Sequence, residues 1–270
     1  MLSSIVWDVD PTIFEIGSRQ IRWYGLMWGI GFILAYKYAE WLFKKEKYPE
    51  EWVDKLFVYS LVSVVVGARL GHCLFYQWDY YTSNPVEILK IWEGGLASHG
   101  GAIGLLIAAW LLNKKEFSKE PKFHTSLLWI MDRLVVGVCV TATLIRLGNL
   151  MNSEIYGTPT DLPWGFIFVR DGQTVPCHPT QIYEMIYCIV GFVVTWLMYW
   201  KAKAYKREGL LLGVFLEIIF FTRFMLEFIK NDQELFEAGH ILNMGQILSL
   251  PFIIWGIYLI IRAFKRPALP

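Results

Sequence analysis

The stretch Leu127–Arg146, LLWIMDRLVVGVCVTATLIR, decides the fold class. As a helix rising ~1.5 Å per residue, Leu127 to Ile145 extends about 28 Å, close to the ~20 apolar residues that cross a bilayer's hydrocarbon core. It ends abruptly on a charge, Arg146. Working outward, further apolar segments of similar length run Tyr24–Phe43, Leu56–Phe75, Ala97–Leu112, Ile182–Trp200, Leu210–Ile229 and Gly245–Ile261. Composition agrees, with 55% hydrophobic and only 18% charged residues, too thin a polar coat for a soluble domain. The expectation is an all-α polytopic membrane protein with seven transmembrane helices, residues 1–270 forming a single integral membrane domain. A net charge of +1 provides no basic field for nucleic acid.

Basic residues orient the chain. Lys44, Lys45 and Lys47 follow the first segment, Lys114, Lys115, Lys119 and Lys122 the third, Lys201, Lys203, Lys206 and Arg207 the fifth, and Arg262, Lys265 and Arg266 the last. The alternate loops are poor in Lys and Arg, and one carries Asp232, Glu234 and Glu237. By the positive-inside rule the C-terminus is cytoplasmic and the N-terminus periplasmic. The first residues, MLSSIVWDVDPTIFEIG, lack a basic region followed by an apolar run, so the first span is expected to direct insertion itself. Residues 147–181 form the longest non-helical stretch. Its turn pairs and its Trp164, Phe166, Ile167 and Phe168 predict a small packed periplasmic cap. Cys73, Cys139, Cys177 and Cys188 show no metal spacing and read as small apolar fillers, with one disulfide as the alternative.

Ionisable groups inside a span cost at least ~2.5–3.5 kcal/mol on insertion scales. Here the topology sorts them by depth. Tyr24, His99 and Arg146 stand at the outer ends of their spans and Gln246 opens the last one from outside. Arg69 lies ~20 Å along the second span with Tyr76 beyond, and Arg223 and Glu227 lie ~20 and ~26 Å along the sixth. Polar groups from separate segments thus share the outer half of the membrane. Each has a plainer reading: Arg69 as a structural ion pair, Asp132 and Arg133 as snorkelling or paired groups, Arg223 with Glu227 as an i,i+4 salt bridge, His99 as a satisfied interfacial histidine. Together, arginine forks suit phosphate oxygens, with Asn149, Asn152, Glu154 and Glu227 holding them or reading hydroxyls. Histidine exchanges protons near neutral pH. The residues alone leave three readings: a lipid-phosphate enzyme, an anionic-lipid transporter and a lipid-binding scaffold. Clustering on one side favours the enzyme.

Arg146 to Gly157 reads RLGNLMNSEIYG, and this resembles the signature of the prolipoprotein diacylglyceryl transferase family. Other blocks agree in order: Trp23–Met27, Gly67–Gly71, Glu93–Gly95, His99–Gly104, His178–Glu184, Arg223–Phe228 and Met244–Ser249. The resemblance spans Tyr24 to Pro251. Ile145, Leu150, His72 and Ile219 stand where the family commonly has glycine, phenylalanine, tyrosine and tyrosine. What the resemblance implies is transfer of the sn-1,2-diacylglyceryl group of phosphatidylglycerol to the lipobox cysteine of a prolipoprotein signal peptide in the bacterial inner membrane. A thioether forms, glycerol 1-phosphate leaves, and neither metal nor organic cofactor is expected. Carried over by position, Arg146 binds the phosphate and Arg223 stabilises it as it leaves. His99 is the candidate base for the thiol, a task Tyr24 could share. Asn149, Asn152, Glu154, Gly157, Glu227, Arg69 and Tyr76 line the substrate site. Gly100 and Gly101 let backbone approach the lipid or, alternatively, pack helices.

Overall fold

A computed structural model describes residues 4–17, 19–91, 94–231 and 242–269. Glu93 of the Glu93–Gly95 block and the acidic Asp232, Glu234 and Glu237 lie outside the described residues. Three short strands come first, β1 (Ile5–Trp7), β2 (Thr12–Ile16) and β3 (Arg19–Arg22). Then follow α1 (Trp23–Glu46), α2 (Glu51–Phe75), α3 (Trp78–Ser83), α4 (Ser98–Lys115), α5 (Leu127–Met151) and β4 (Phe166–Phe168). The last part holds α6 (Thr180–Trp200), α7 (Leu210–Leu216), α8 (Thr222–Leu226) and α9 (Met244–Lys265). A π-turn over Glu217–Phe221 joins α7 to α8, and a 3₁₀ turn over Glu227–Ile229 closes α8. Every apolar segment read from the sequence is helical. Among the described residues four helices, α2, α5, α6 and α9, are long and apolar enough to cross a membrane.

The all-α expectation needs correcting. β1 pairs in parallel with β4, placing Ile5 opposite Phe166 and Trp7 opposite Phe168, and β2 pairs antiparallel with β3. These strands are three to five residues long, too short for a period to declare itself, and β1 finds its partner far along the chain. The start of the non-helical stretch also moves. Helix continues through Leu147 to Met151 because Leu150 is buried with Phe166, Phe168 and Cys177 while Leu147 packs against them. All four cysteines are buried and free.

The described residues fall into two compact units, one of Tyr36–Leu134 and one combining the chain up to Ala35 with Val135 onward. In the first, α2 and α4 cross through glycines. A Cβ on Gly67 would sit 2.4 Å from the Gly100 carbonyl oxygen, and one on Gly100 2.2 Å from that of Gly67. Small residues allow such backbone approach between membrane helices. Near the start of α5, Arg133 pairs with Glu46 at 2.8 Å and lies 4.1 Å over the Trp129 ring, the paired arrangement among its expected alternatives. In the second unit, the Trp7 indole donates to the Leu150 carbonyl at 2.9 Å, tying β1 to the end of α5.

Candidate functional site

The end of α5 and the residues after it build the centre. Arg146 projects one guanidinium edge to Glu184 on α6, Nε to Oε2 at 2.8 Å. Its Nη1 donates to the Asn149 amide oxygen at 3.2 Å, the i,i+3 neighbour on the same helix face. Asn149 in turn donates to Glu154 Oε1 at 2.8 Å, and Asn152 reaches the same oxygen at 3.3 Å. Arginine, amides and carboxylate thus form one chain of charge-assisted hydrogen bonds.

Glu154 is held there by a strained backbone. Ser153 (φ 55°) and Ile155 (φ 59°) flank it, both left-handed, and for a β-branched residue that conformation costs about 1–3 kcal/mol. The N-terminus of α6 offsets the strain, since Thr180 Oγ1 donates to the Ile155 carbonyl at 2.7 Å and Gln181 Nε2 to that of Glu154 at 2.6 Å. Gly157 follows in a slot where only glycine fits, because a Cβ would stand 2.3 Å from the Ile229 carbonyl oxygen. The turn after α5 is thereby clamped between α6 and the end of α8.

From the other direction, Arg223 on α8 meets Glu227 at 3.3 Å, the i,i+4 pair the spacing predicts. It is no isolated pair. Lys230 bridges Glu227 at 3.3 Å and Glu184 at 2.8 Å, and the Asn243 amide donates to the second Glu227 oxygen at 3.2 Å. Arg146, Glu184, Lys230, Glu227 and Arg223 therefore form one continuous chain, three cations against two carboxylates, with Glu154 joined through the Asn149 amide. Glu184 is fully buried and the Lys230 side chain is 1% exposed. The Nε of Arg223 is buried with no hydrogen-bond partner among the described residues. Gln246, predicted to open the last span, caps α9 reciprocally with Asn243.

Tyr24 begins α1 and lies against Gly148, where a Cβ would be 2.9 Å from its ring, one residue from Asn149. Thus Tyr24, Arg146, Asn149, Asn152, Glu154, Gly157, Arg223 and Glu227 share one unit. His99, Arg69, Tyr76, Gly100 and Gly101 belong to the Tyr36–Leu134 unit. There His99 is buried in the first turn of α4 and Tyr76 stacks beside His72, ring centroids 5.8 Å apart. Arg69 donates to the backbone carbonyls of Glu87 and Gly94, each at 2.6 Å, and of Ile88 at 3.0 Å, with the Tyr81 ring 5.0 Å from its guanidinium. Gly100 is accounted for by the α2–α4 crossing. Gly101 has room, its nearest neighbour to a Cβ being Val64 Cγ1 at 3.5 Å.

Sequence reasoning missed Lys230 and Asn243, and read Gln181 and Glu184 only as letters in a motif. A signal existed for Glu184. It is an ionisable group inside an apolar helix, the class most often functional.

A family model described as prolipoprotein diacylglyceryl transferase matches residues 11–262. A Porphyromonas gingivalis protein is 48% identical over 280 residues, covering 97% of this chain and 96% of its own length. A Chloroherpeton thalassium protein is 44% identical (99% and 97% covered) and a Tolumonas auensis protein 42% identical (98% and 99%). Each is named phosphatidylglycerol–prolipoprotein diacylglyceryl transferase.

Proposed function

This chain belongs to the prolipoprotein diacylglyceryl transferase family, and from that membership we propose that it transfers the sn-1,2-diacylglyceryl group of phosphatidylglycerol to the lipobox cysteine thiol of prolipoproteins. The observation that carries the assignment of chemistry to this site is the buried chain linking Arg146 on one helix to Arg223 on another. Two arginines held on a common frame, one with an unmatched buried Nε–H, suit the oxygens of a phosphodiester.

In the reaction the thiolate sulfur forms a bond to the glyceryl sn-3 carbon as the carbon–oxygen bond to phosphate breaks. The thiol proton passes to a base, and His99 takes that role, with Tyr24 able to share it. Glycerol 1-phosphate departs with the bonding electrons, so its phosphate gains a negative charge. Donors set in advance around that charge lower the barrier, and losing one such donor typically costs about 10²–10³ in kcat. Arg146 holds the phosphate and Arg223 meets the charge as it develops. Asn149, Asn152, Glu154, Gly157 and Glu227 fix the arginines and the headgroup. By family resemblance alone, Tyr76 and Gly101 are assigned to the lipid, and Arg69 to support of that region through the carbonyls it holds. The family resemblance implies neither metal nor organic cofactor, and the donor lipid carries its own leaving group.

The setting is the bacterial inner membrane, with all seven apolar helical segments crossing it as one integral domain. The N-terminus is periplasmic, the C-terminus cytoplasmic, and residues 147–181 form the outer cap. Arg146→Ala should abolish transfer, by about 10³-fold or more, while the protein still inserts. The assay incubates enzyme, phosphatidylglycerol vesicles and a lipobox peptide, and mass spectrometry reads the diacylglyceryl adduct. Undiminished adduct from the Arg146→Ala protein sinks the assignment. Lipid movement without adduct from the wild type turns the reading towards a transporter.

A further inference from the structure

Lys230 lies at the far end of the sixth apolar segment, where a lysine ordinarily marks a membrane boundary and points to water. Here it does the opposite. Its side chain is 1% exposed and its Nζ touches two carboxylates, Glu184 Oε1 at 2.8 Å and Glu227 Oε1 at 3.3 Å. Each of those carboxylates also holds an arginine, Glu184 the Nε of Arg146 and Glu227 the Nη2 of Arg223.

We propose that Lys230 is a positioning residue for the transfer, a buried strut that sets the spacing of Arg146 and Arg223 by drawing their two carboxylate partners together. The inference rests on the functional reading above and adds a component to it. Both carboxylate oxygens lie within 3.3 Å of one ammonium. Without it two like charges would face each other in a buried setting, where such repulsion is weakly screened. The carboxylates would separate, and each would carry its arginine with it.

The main chain supports the same role. Lys230 forms an antiparallel bridge with Gly157, the Thr158 amide donates to the Ile229 carbonyl at 2.9 Å, and Asn231 Nδ2 donates to the Gly157 carbonyl at 3.1 Å. One residue therefore joins α6, the turn closing α8 and the strained turn after α5. Burial keeps the ammonium from a ligand, so its influence passes through the arginines.

The test uses the full chain in detergent with phosphatidylglycerol and a lipobox peptide, kcat being normalised to folded protein and thermal unfolding measured in parallel. Lys230→Met should lower kcat about 10²-fold, the scale on which a misplaced group near 1 Å off costs rate. Lys230→Arg, which keeps the bridging charge, should recover most of that loss. If the methionine variant does not fold, Lys230→Gln takes its place, since it removes the bridging charge while keeping a polar group there, and it should show the same loss. A methionine or glutamine variant with wild-type kcat per folded molecule overturns the proposal. So does an arginine variant no better than methionine. Arg146→Ala run alongside separates the two levels: if it is inactive while Lys230→Met is fully active, the strut alone falls, and if it is active, the functional reading falls with it.

Discussion

Arg69 and Arg146 are both arginines in apolar helices, and their surroundings differ in kind. Arg69 in the Tyr36–Leu134 unit directs its donors to backbone carbonyls of Glu87, Ile88 and Gly94, under the Tyr81 ring. Those partners cannot change charge or exchange, so the arginine works as a clasp on Glu87, Ile88 and Gly94. Arg146 meets a carboxylate and an amide that are themselves committed elsewhere, and its network includes a buried donor without a partner among the described residues. A charge in an apolar helix is therefore not a site by itself. What sets Arg146 apart is an ionic network in which one donor, Arg223 Nε, is unmatched among the described residues.

The largest effect that separates them is on stability. Arg69→Ala strands several partly buried carbonyls, each costing about 1–3 kcal/mol when unpaired, and should lower the unfolding midpoint by roughly 5–15 °C for a chain of this size. Arg146→Ala should lower it less, because Glu184 keeps Lys230. Thermal scanning of both proteins in detergent decides it. Equal midpoints would erase the distinction between the Arg69 clasp and the ionic chain of Arg146.

A second contrast sets the turn after α5 against the start of α4. Gly157→Ala places a Cβ 2.3 Å from the Ile229 carbonyl oxygen, which forces the Lys230 bridge apart, so both folded yield and transfer should fall, activity by about tenfold or more. Gly101→Ala meets nothing closer than 3.5 Å and should leave the unfolding midpoint within about 1–2 °C. Any loss of transfer in that variant then reports lipid approaching the backbone. An unfolding midpoint for Gly157→Ala as high as that of wild type would show that the turn has freedom the packing denies.

Local chemistry in this protein was legible from sequence and distant pairing was not. Arg146, Asn149 and Glu154 lie within one turn and the residues just after it, so spacing alone brings them together. The i,i+4 pair of Arg223 and Glu227 follows from helical period. The apolar segments read directly as helices, since their length leaves no other way to satisfy the backbone in lipid. Glu184 and Lys230, by contrast, meet across 46 positions, and only docking of α6 against the end of α8 makes them partners. A lysine at the end of an apolar segment is ordinarily exposed, so nothing in the sequence marks Lys230 as buried. The pairing of β1 with β4 was hidden for the same reason, as three residues matched to three others far along the chain carry no periodic signal.

The smallest expected effect tests whether the Tyr156–Phe168 cluster responds apart from the ionic chain. Tyr156 stacks on Phe168, ring centroids 4.7 Å apart, and its hydroxyl donates to Asp171 while accepting from Gln173 Nε2 at 2.7 Å. Burial, and then the neighbouring Asp171 carboxylate, push the phenol up to about 12. A folded value above the ordinary one of ~10 means the neutral phenol is favoured by the fold, so its contribution is complete below pH ~10 and is lost as pH rises through about 12. Tyrosinate absorbance near pH 12 should therefore lose the amplitude of one phenol in Tyr156→Phe, with transfer at neutral pH changed by less than about threefold, as a partly exposed pair contributes little. If instead Tyr156→Phe reduced transfer as deeply as loss of Lys230, the Tyr156–Phe168 cluster and the ionic chain would be one cooperative body, and the division between them would have to be withdrawn.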